Sequence, residues 1–225
     1  IVYPDGSTDD SQELSGHTFA VLFDICPEEK RASVLKNLII SDGGAISIYP
    51  PFEGIFSDTV PGRHNNVIWP FLNGMFIESM ALCGLHSMAG DELKRLTELF
   101  KGSKYKLFEI YSPYTKKPYG GWQIGREWDS CRHQTWSATC YIGAIIHGIF
   151  GIKAEQEGIS IIPCIPEALK DAELSGIILH GKELTVKITG YGNRVEKFLL
   201  DGKENAPFIP WDGKSHVVEV VMRED

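Results

Sequence analysis

Residues 107–151 read LFEIYSPYTKKPYGGWQIGREWDSCRHQTWSATCYIGAIIHGIFG, and this stretch carries the strongest signals in the chain. It begins as an aromatic loop around Glu109 and continues as a segment rich in glycine and tryptophan. Three tryptophans, Trp122, Trp128 and Trp136, lie within fifteen residues of one another. From Gln134 to Phe150 the sequence is apolar on nearly every side, which predicts a helix surrounded by other elements.

Working back towards the N-terminus, apolar and amphipathic segments alternate. Segments that are apolar all round occupy residues 16–25, 66–85 and 134–150, and amphipathic segments occupy 28–40 and 91–100. An all-round apolar helix has to be enclosed, whereas an amphipathic helix lies on the outside. This order predicts two layers of antiparallel helical hairpins, that is, part of an (α/α)6 toroid.

Beyond residue 151 the pattern changes to short alternating runs separated by turn residues such as Asp201-Gly202 and Asp212-Gly213. Strands are predicted at residues 159–162, 177–179, 184–188, 195–200 and 216–222. The expected fold class is mainly α with a β tail. We expect helical hairpins over residues 1–151 and a small antiparallel sheet or β-sandwich over residues 152–225.

In stacked antiparallel hairpins, the connections that enter the enclosed helices all emerge on one face. These connections are the long segments 9–16, 46–66 and 103–133, and they contain most of the polar and aromatic loop residues. Long loops on a rigid scaffold are where binding sites usually lie. A carboxylate beside flat indole rings suits a sugar, which has an apolar C–H face and a cleavable acetal. Glu109 is therefore the candidate acid–base carboxylate, with Glu127 and Asp129 as rivals in the same loop.

Composition excludes several other classes of protein. The net charge of −8 disfavours nucleic acids and anionic membranes as partners, and no apolar run reaches the length of a membrane span. The five cysteines show no C-x-x-C spacing, so neither a zinc site nor a disulfide framework is predicted. No metal or cofactor is expected. A soluble protein is predicted, with a reducing, cytoplasmic compartment favoured over a periplasmic or secreted one.

Several motifs resemble a known family. RHNNVIWPFLNGM, residues 63–75, is similar to the segment before an inner helix in six-hairpin glycosidases of the glycogen-debranching kind. The 107–151 stretch resembles the general-base loop and last inner helix of glucoamylase-like hydrolases. The C-terminal runs GISIIPCIPEAL and IPWDGKSHVVEVV resemble the β-sandwich that ends cellobiose-phosphorylase-like enzymes.

The resemblance implies inverting hydrolysis of a glycosidic bond, with an α-glucoside or related oligosaccharide as the substrate and Glu109 as the general base. It also implies a set of substrate-binding residues, with aromatic walls and hydroxyl-binding polar groups. These are His64, Asn65, Trp69, Tyr111, Trp122, Arg126, Glu127 and Trp128. In the resembling families the general acid lies on an earlier hairpin. We therefore expect this chain to be the C-terminal portion of a larger enzyme, with the N-terminal remainder as its partner.

Two other functions stay open from the sequence. A glycoside phosphorylase of the same fold would need a phosphate cradle, for which Arg132, His133, Gln134 and Thr135 at a helix N-terminus are candidates. A non-catalytic carbohydrate-binding or structural fragment would need no second carboxylate. Without a catalytic role, Glu109 would be either a solvated loop carboxylate or a salt-bridge partner. Trp69 and Trp136 begin predicted helices, where core packing competes with sugar contact.

Overall fold

The computed structural model describes residue 2, residues 4–52 and residues 61–224. The chain groups into two compact units. The first unit consists of Ile1–Ser79 and Asp91–Ala144, and the second of Met80–Gly90 and Ile145–Asp225. This grouping reflects packing contacts, so the predicted domain boundary after residue 151 stays a prediction.

The described residues contain five α-helices. They are α1 (Leu14–Leu22), α2 (Glu28–Lys36), α3 (Pro70–Leu82), α4 (His86–Gly102) and α5 (Thr135–Gly143). A π-helical segment, Ala144–Ile149, follows α5 directly. The side chain of Glu13 caps α1, because its carboxylate accepts hydrogen bonds from the backbone N–H groups of Ser15 and Gly16.

Three short antiparallel strand pairs and several isolated bridges connect the loops of the first unit. Strand β1 (Gln12–Glu13) pairs with β4 (Ile48–Tyr49), β2 (Ile40–Ser41) with β3 (Gly44–Ala45), and β5 (Trp122–Gln123) with β6 (Arg126–Glu127). Isolated bridges join Gly62 to Trp122 and Ile68 to Tyr111. The three long loop segments therefore contact one another within this unit.

A buried carboxylate ties the core of the first unit together. Glu92, on α4, has no exposed surface, and its Oε1 accepts a hydrogen bond from the backbone N–H of Ala45 at 2.8 Å. The same oxygen accepts from the side chain of Asn73 on α3, and Oε2 lies 3.2 Å from Arg95 Nη1. Burial raises the pKa of Glu92, although these donors oppose the effect. Such a group is tolerated only because donors from three elements surround it.

The second unit is built mainly from two sheets. Its strands are β7 (Ile152–Ala154), β8 (Gly158–Ile161), β9 (Glu173–Leu179), β10 (Lys182–Thr189), β11 (Arg194–Leu200), β12 (Lys203–Glu204), β13 (Phe208–Pro210) and β14 (His216–Arg223). One sheet has the order β12-β11-β14-β10-β9, and the other has the order β13-β8-β7. Alternate residues of β10 and β14 are buried, including Val186 and Val218, as expected for strands with one face against a core.

The predicted fold class is wrong. The described residues are 31% helical and 29% strand and form five α-helices and several sheets, so they are neither mainly α nor a toroid of helical hairpins. The five strands predicted in the C-terminal region are present. However, β10 and β14 pair in parallel, so the sheet is mixed rather than antiparallel.

Two of the observed α-helices are shorter than the apolar runs that predicted them. The run 66–85 gives a helix only over Pro70–Leu82, because Ile68 is extended and pairs with Tyr111. The run 134–150 changes from α-helix to π-helix after Gly143. An apolar run thus predicts that its residues are buried, but not whether they form an α-helix, a π-helix or a β-bridge. None of the helices in the described part of the chain has the length and apolar content to cross a bilayer.

Candidate functional site

Glu109 lies in a loop that is fastened to the segment around residue 130. Its backbone N–H donates to the carbonyl oxygen of Cys131 at 2.9 Å. The Ser130 hydroxyl accepts from the backbone N–H of Ile110 at 2.8 Å and donates to the carbonyl of the same residue at 2.8 Å. The loop therefore has a fixed backbone, and Glu109 itself is only 5% exposed.

The carboxylate of Glu109 forms an ion pair with Arg63. Arg63 Nη2 donates to Glu109 Oε2, and Arg63 Nη1 donates to the carbonyl of Gly120 at 3.1 Å. The backbone N–H of Cys131 lies 3.4 Å from the same Oε2. Charge-assisted hydrogen bonds of this kind are strong and directional. The side chains are 17% exposed for Arg63 and 7% for Glu109, so the pair is largely shielded from solvent.

Aromatic rings stand beside the guanidinium. Arg63 Cζ lies 5.9 Å from the centre of the Trp69 ring and 6.0 Å from that of Trp128. The imidazole of His64 stacks on Trp69 with a centroid distance of 5.2 Å and an interplanar angle of 7°. We refer to Arg63, Glu109, His64, Trp69 and Trp128 as the Arg63–Glu109 site. It combines a charged pair with flat apolar faces.

Two glycines allow the backbone to approach closely here. A Cβ atom on Gly120 would lie 1.9 Å from the carbonyl oxygen of Trp128, and one on Gly121 would lie 2.6 Å from Arg63 Cα. Gly121 also has a φ of +78°, which favours glycine. The backbone of Arg63 can therefore pair with that of Trp122, whose carbonyl oxygen is 3.0 Å from the Arg63 nitrogen. The Gly-Gly dipeptide brings the loops of positions 63 and 122 together.

The β5–β6 hairpin presents a second set of the predicted residues. Arg126 Cζ lies 3.7 Å above the Trp128 ring, and Trp128 Nε1 donates to the carbonyl of Gln123 at 2.9 Å. Arg126 and Glu127 are exposed. Trp122 is half-buried, and its Nε1–H has no acceptor among the described residues. In this hairpin the Arg126 guanidinium therefore lies over the Trp128 indole, and the Trp122 indole N–H has no acceptor among the described residues.

Two predicted binding residues have structural partners instead. Asn65 is 2% exposed, and its amide accepts from the Phe52 backbone N–H at 2.9 Å and donates to the Phe52 carbonyl at 3.3 Å. Tyr111 is fully buried, and its hydroxyl lies 2.9 Å from the hydroxyl of Ser103. Both side chains thereby stabilise the loops that carry the Arg63–Glu109 site.

Two backbone donors of the candidate phosphate cradle are already hydrogen-bonded. The backbone N–H of His133 donates to the Lys106 carbonyl at 2.8 Å, and that of Gln134 donates to the Leu107 carbonyl at 3.0 Å. These two groups bind the loop that precedes Glu109 and are not available to an anion, whereas the side chains of Arg132 and His133 are exposed.

The surroundings of His64 shift its pKa. Partial burial against the Trp69 ring lowers the pKa of His64, and the positive charge of Arg63 lowers it further, while the negative charge of Glu109 raises it. The net shift is downward, so the imidazole is neutral near pH 7. A neutral imidazole both donates and accepts hydrogen bonds, which suits sugar hydroxyl groups.

Sequence reasoning missed three contributors to the first unit. Arg63 lies in the segment 46–66, and no spacing in the sequence marks it as the partner of Glu109. Phe71 stacks on the Trp136 ring at 5.4 Å, and Trp136 meets Trp69 edge-on at 5.9 Å, so a half-exposed aromatic cluster adjoins the site. Glu92 could have been found, because it lies on the same helical stripe as Leu96 and Leu99. No set of three His, Cys, Asp or Glu residues in the described segments has the geometry of a metal site.

Comparison with known proteins shows a likeness in fold to solved structures. No family model matches this chain, and no curated protein matches it. A solved structure titled "Sialidase" superposes with a TM-score of 0.64 at 18% identity, covering 96% of this chain and 21% of that chain. This chain therefore spans about a fifth of that protein. At this identity the likeness concerns the fold alone.

The family resemblance inferred from the sequence is wrong. The fold is not a six-hairpin toroid of the glycogen-debranching or glucoamylase kind, and the matching structure is a chain titled sialidase. The resemblance rested on residues 63–75, the 107–151 stretch and two short C-terminal runs. The residue types in such stretches do not specify how the elements pack against one another. What stands is that the fold is shared with about a fifth of the chain titled "Sialidase".

Proposed function

We propose that the Arg63–Glu109 site binds a sugar ring and that Glu109 takes part in cleaving a glycosidic bond. One observation carries this proposal. A nearly buried carboxylate is held by an arginine whose guanidinium lies about 6 Å from each of two indole rings, Trp69 and Trp128. The likeness to a chain titled sialidase agrees with a carbohydrate as the substrate class.

The contacts of Glu109 suit the role of a base. Both donors, Arg63 Nη2 and the Cys131 N–H, bind Oε2. Among the residues that the structure describes, none donates to Oε1, so Oε1 is the oxygen that would hold and deprotonate a water molecule. Arg63 would keep the carboxylate in one orientation while the water attacks, which is the contribution expected of a positioning residue.

Cleavage also requires a carboxylic acid that protonates the leaving oxygen. In inverting enzymes the two carboxyl groups stand about 6.5–9.5 Å apart, and in retaining enzymes about 5–5.5 Å. We propose inversion, an α-glucoside or related oligosaccharide as the substrate, and an acid supplied by a segment outside this chain. Glu127 and Asp129, both exposed in the same loop, are the alternatives within it.

Carbohydrate binding without catalysis is a second candidate. In this alternative the Arg63–Glu109 pair is a structural link that holds the aromatic faces in place and does not react with the sugar. The two functions share the aromatic faces but differ in what happens to the bound sugar.

Turnover and binding measured on the same protein separate the two candidates. Aryl glycosides and oligosaccharides are incubated with the protein, and products are followed by NMR, which also reports the anomer formed first. Turnover that gives the inverted anomer supports hydrolysis as proposed. Ligand binding without turnover supports the binding role, and an absence of both contradicts the sugar site. A requirement for inorganic phosphate would identify a phosphorylase instead.

A further inference from the structure

The second unit contains a cleft of about 570 Å³ that shares no residue with the Arg63–Glu109 site. Its floor is apolar: Ile159, Leu184 and Ile209 line it, and each is less than 5% exposed. Clefts of roughly 300–1,000 Å³ with an apolar floor and a few polar groups are typical of small-molecule sites.

One wall of this cleft is an exposed indole held in a fixed position. Trp211 is 37% exposed, and its Nε1 donates to the carbonyl of Glu155 at 3.0 Å. The ring meets His180 edge-on, with centroids 4.8 Å apart and an interplanar angle of 70°. A tryptophan with its N–H satisfied and its face open offers a flat apolar surface at little entropic cost.

The turn that carries His180 is also preset. His180 and Gly181 connect β9 to β10, and both have positive φ angles, +49° and +74°. Two such residues form the type I′ turn that matches the twist of an antiparallel hairpin. The aromatic wall therefore exists before any ligand binds, which reduces the ordering cost of binding.

Charged groups of both signs lie around the cleft. Its lining includes Lys182, Lys214, Glu155, Glu183 and Asp212. Asp212 pairs with Lys214 at 3.2 Å, and Glu155 accepts from the Ser160 hydroxyl at 2.7 Å. A strongly ionic ligand gains little in such surroundings, whereas a neutral ligand rich in hydroxyl groups finds donors and acceptors of both kinds.

We infer that this cleft is a carbohydrate-binding site for a neutral mono- or oligosaccharide, with a C–H face of the sugar on Trp211. The ligand class follows from three features found together: an exposed indole, an apolar floor and a rim that carries charges of both signs. The inference does not depend on the function proposed for Glu109.

NMR titration of the chain tests this inference. Maltotriose, cellotriose and chitotriose are added separately while the indole N–H signals are followed. At least one sugar shifts the Trp211 signal in a saturable way. Followed through the backbone amide signals of lining residues such as Leu184, Trp211→Ala raises the Kd at least about tenfold, as expected when a central aromatic contact is removed. The control Tyr105→Ala, which removes an exposed ring that belongs to neither site, leaves this binding unchanged.

Two further measurements control for misfolding of the Trp211 variant and for the charge of the ligand. His180→Ala removes the ring that meets Trp211 edge-on but keeps the hydrogen bond of the Trp211 indole, and it weakens the same binding by a smaller factor. Glucuronic acid and glucosamine test the preference for neutral ligands. Failure of all three neutral sugars to shift Trp211, binding that survives Trp211→Ala, or preferential binding of a charged sugar overturns the inference. Each of these results leaves the Glu109 proposal untouched.

Discussion

The guanidinium of Arg63 is hydrogen-bonded to the carboxylate of Glu109, although the two residues are 46 positions apart in the sequence. The contact joins the loop before α3 to the loop before α5. Because Arg63 also binds the Gly120 carbonyl and lies beside two indoles, this pair sets the position of the carboxylate relative to the aromatic faces.

Removing the arginine should destabilise the first unit. Arg63→Met leaves Glu109 largely buried without its partner, and breaking a buried pair in this way costs roughly 3–5 kcal/mol. Since the guanidinium is partly exposed, we expect a loss of about 2–3 kcal/mol in the free energy of unfolding, measured by urea denaturation. Arg126→Met, which removes an exposed arginine from the Trp128 face, is the matched control and should change stability by less than about 0.5 kcal/mol. Equal effects of the two variants would contradict this assignment.

The titration of His64 reports the charges of the site. Burial and Arg63 lower the pKa of His64 and Glu109 raises it, so the titration midpoint should lie below the ordinary value of 6.5. Neutralising Glu109 by Glu109→Gln removes the raising effect, and the midpoint should fall further. Glu127→Gln, a control in the exposed hairpin, should leave it unchanged. The measurement is a proton NMR titration of the imidazole, and a rise in the Glu109→Gln variant would refute the arrangement.

Gly120 should not tolerate a side chain. The Cβ of Gly120→Ala would lie 1.9 Å from the Trp128 carbonyl oxygen, so the loop backbone has to move. We expect a loss of about 3 kcal/mol or more in stability, together with a changed environment of the Trp128 indole. The control is Gly102→Ala at the end of α4, where a Cβ meets no atom within 4 Å. Comparable stability of these two alanine variants in a thermal melt would rule out the close approach.

The second unit should lose stability as the pH rises. Burial lowers the pKa of His216, but hydrogen bonds to Asp201 at 2.8 Å and Asp212 at 3.0 Å, with the charges of both carboxylates, outweigh burial and raise it. The stabilisation is complete below the unfolded-state pKa of about 6.5 and is lost as the pH rises through the higher folded-state pKa. Hydrogen exchange of the β14 amides, including Val218, should therefore accelerate more than intrinsic exchange does. In His216→Ala this extra acceleration should be absent; its persistence would assign it to other groups.

Local periodicity predicted the elements of this protein better than its architecture. The alternating run at residues 216–222 gives β14, and the amphipathic run at 91–100 lies within α4. The prediction of a toroid was wrong because an apolar segment indicates that its residues are buried but does not indicate which elements pack against it. Ile68 is buried by pairing with Tyr111 in a β-bridge, a long-range contact that no spacing in the sequence indicates.

The site shows the same division between local and long-range information. The aromatic loop marked Glu109 and Trp128, because unusual residues were concentrated within a short stretch. Its partner Arg63 lies in a different loop, and the approach of the two depends on Gly120 and Gly121. Glycines in a loop are easily taken for flexible linkers. Here they are the positions where two backbones touch, and only the folded structure shows that.

The central claim is that the Glu109 carboxylate acts on a bound sugar. The most direct test is kcat for hydrolysis of a glycoside by an active protein that contains this chain, compared between wild type, Glu109→Gln and Glu127→Gln. We predict that Glu109→Gln lowers kcat at least about a hundredfold with little change in KM, as expected for an acid–base group, while Glu127→Gln retains near-normal activity. Near-normal kcat in Glu109→Gln would remove Glu109 from the mechanism and leave the Arg63–Glu109 pair as a structural link.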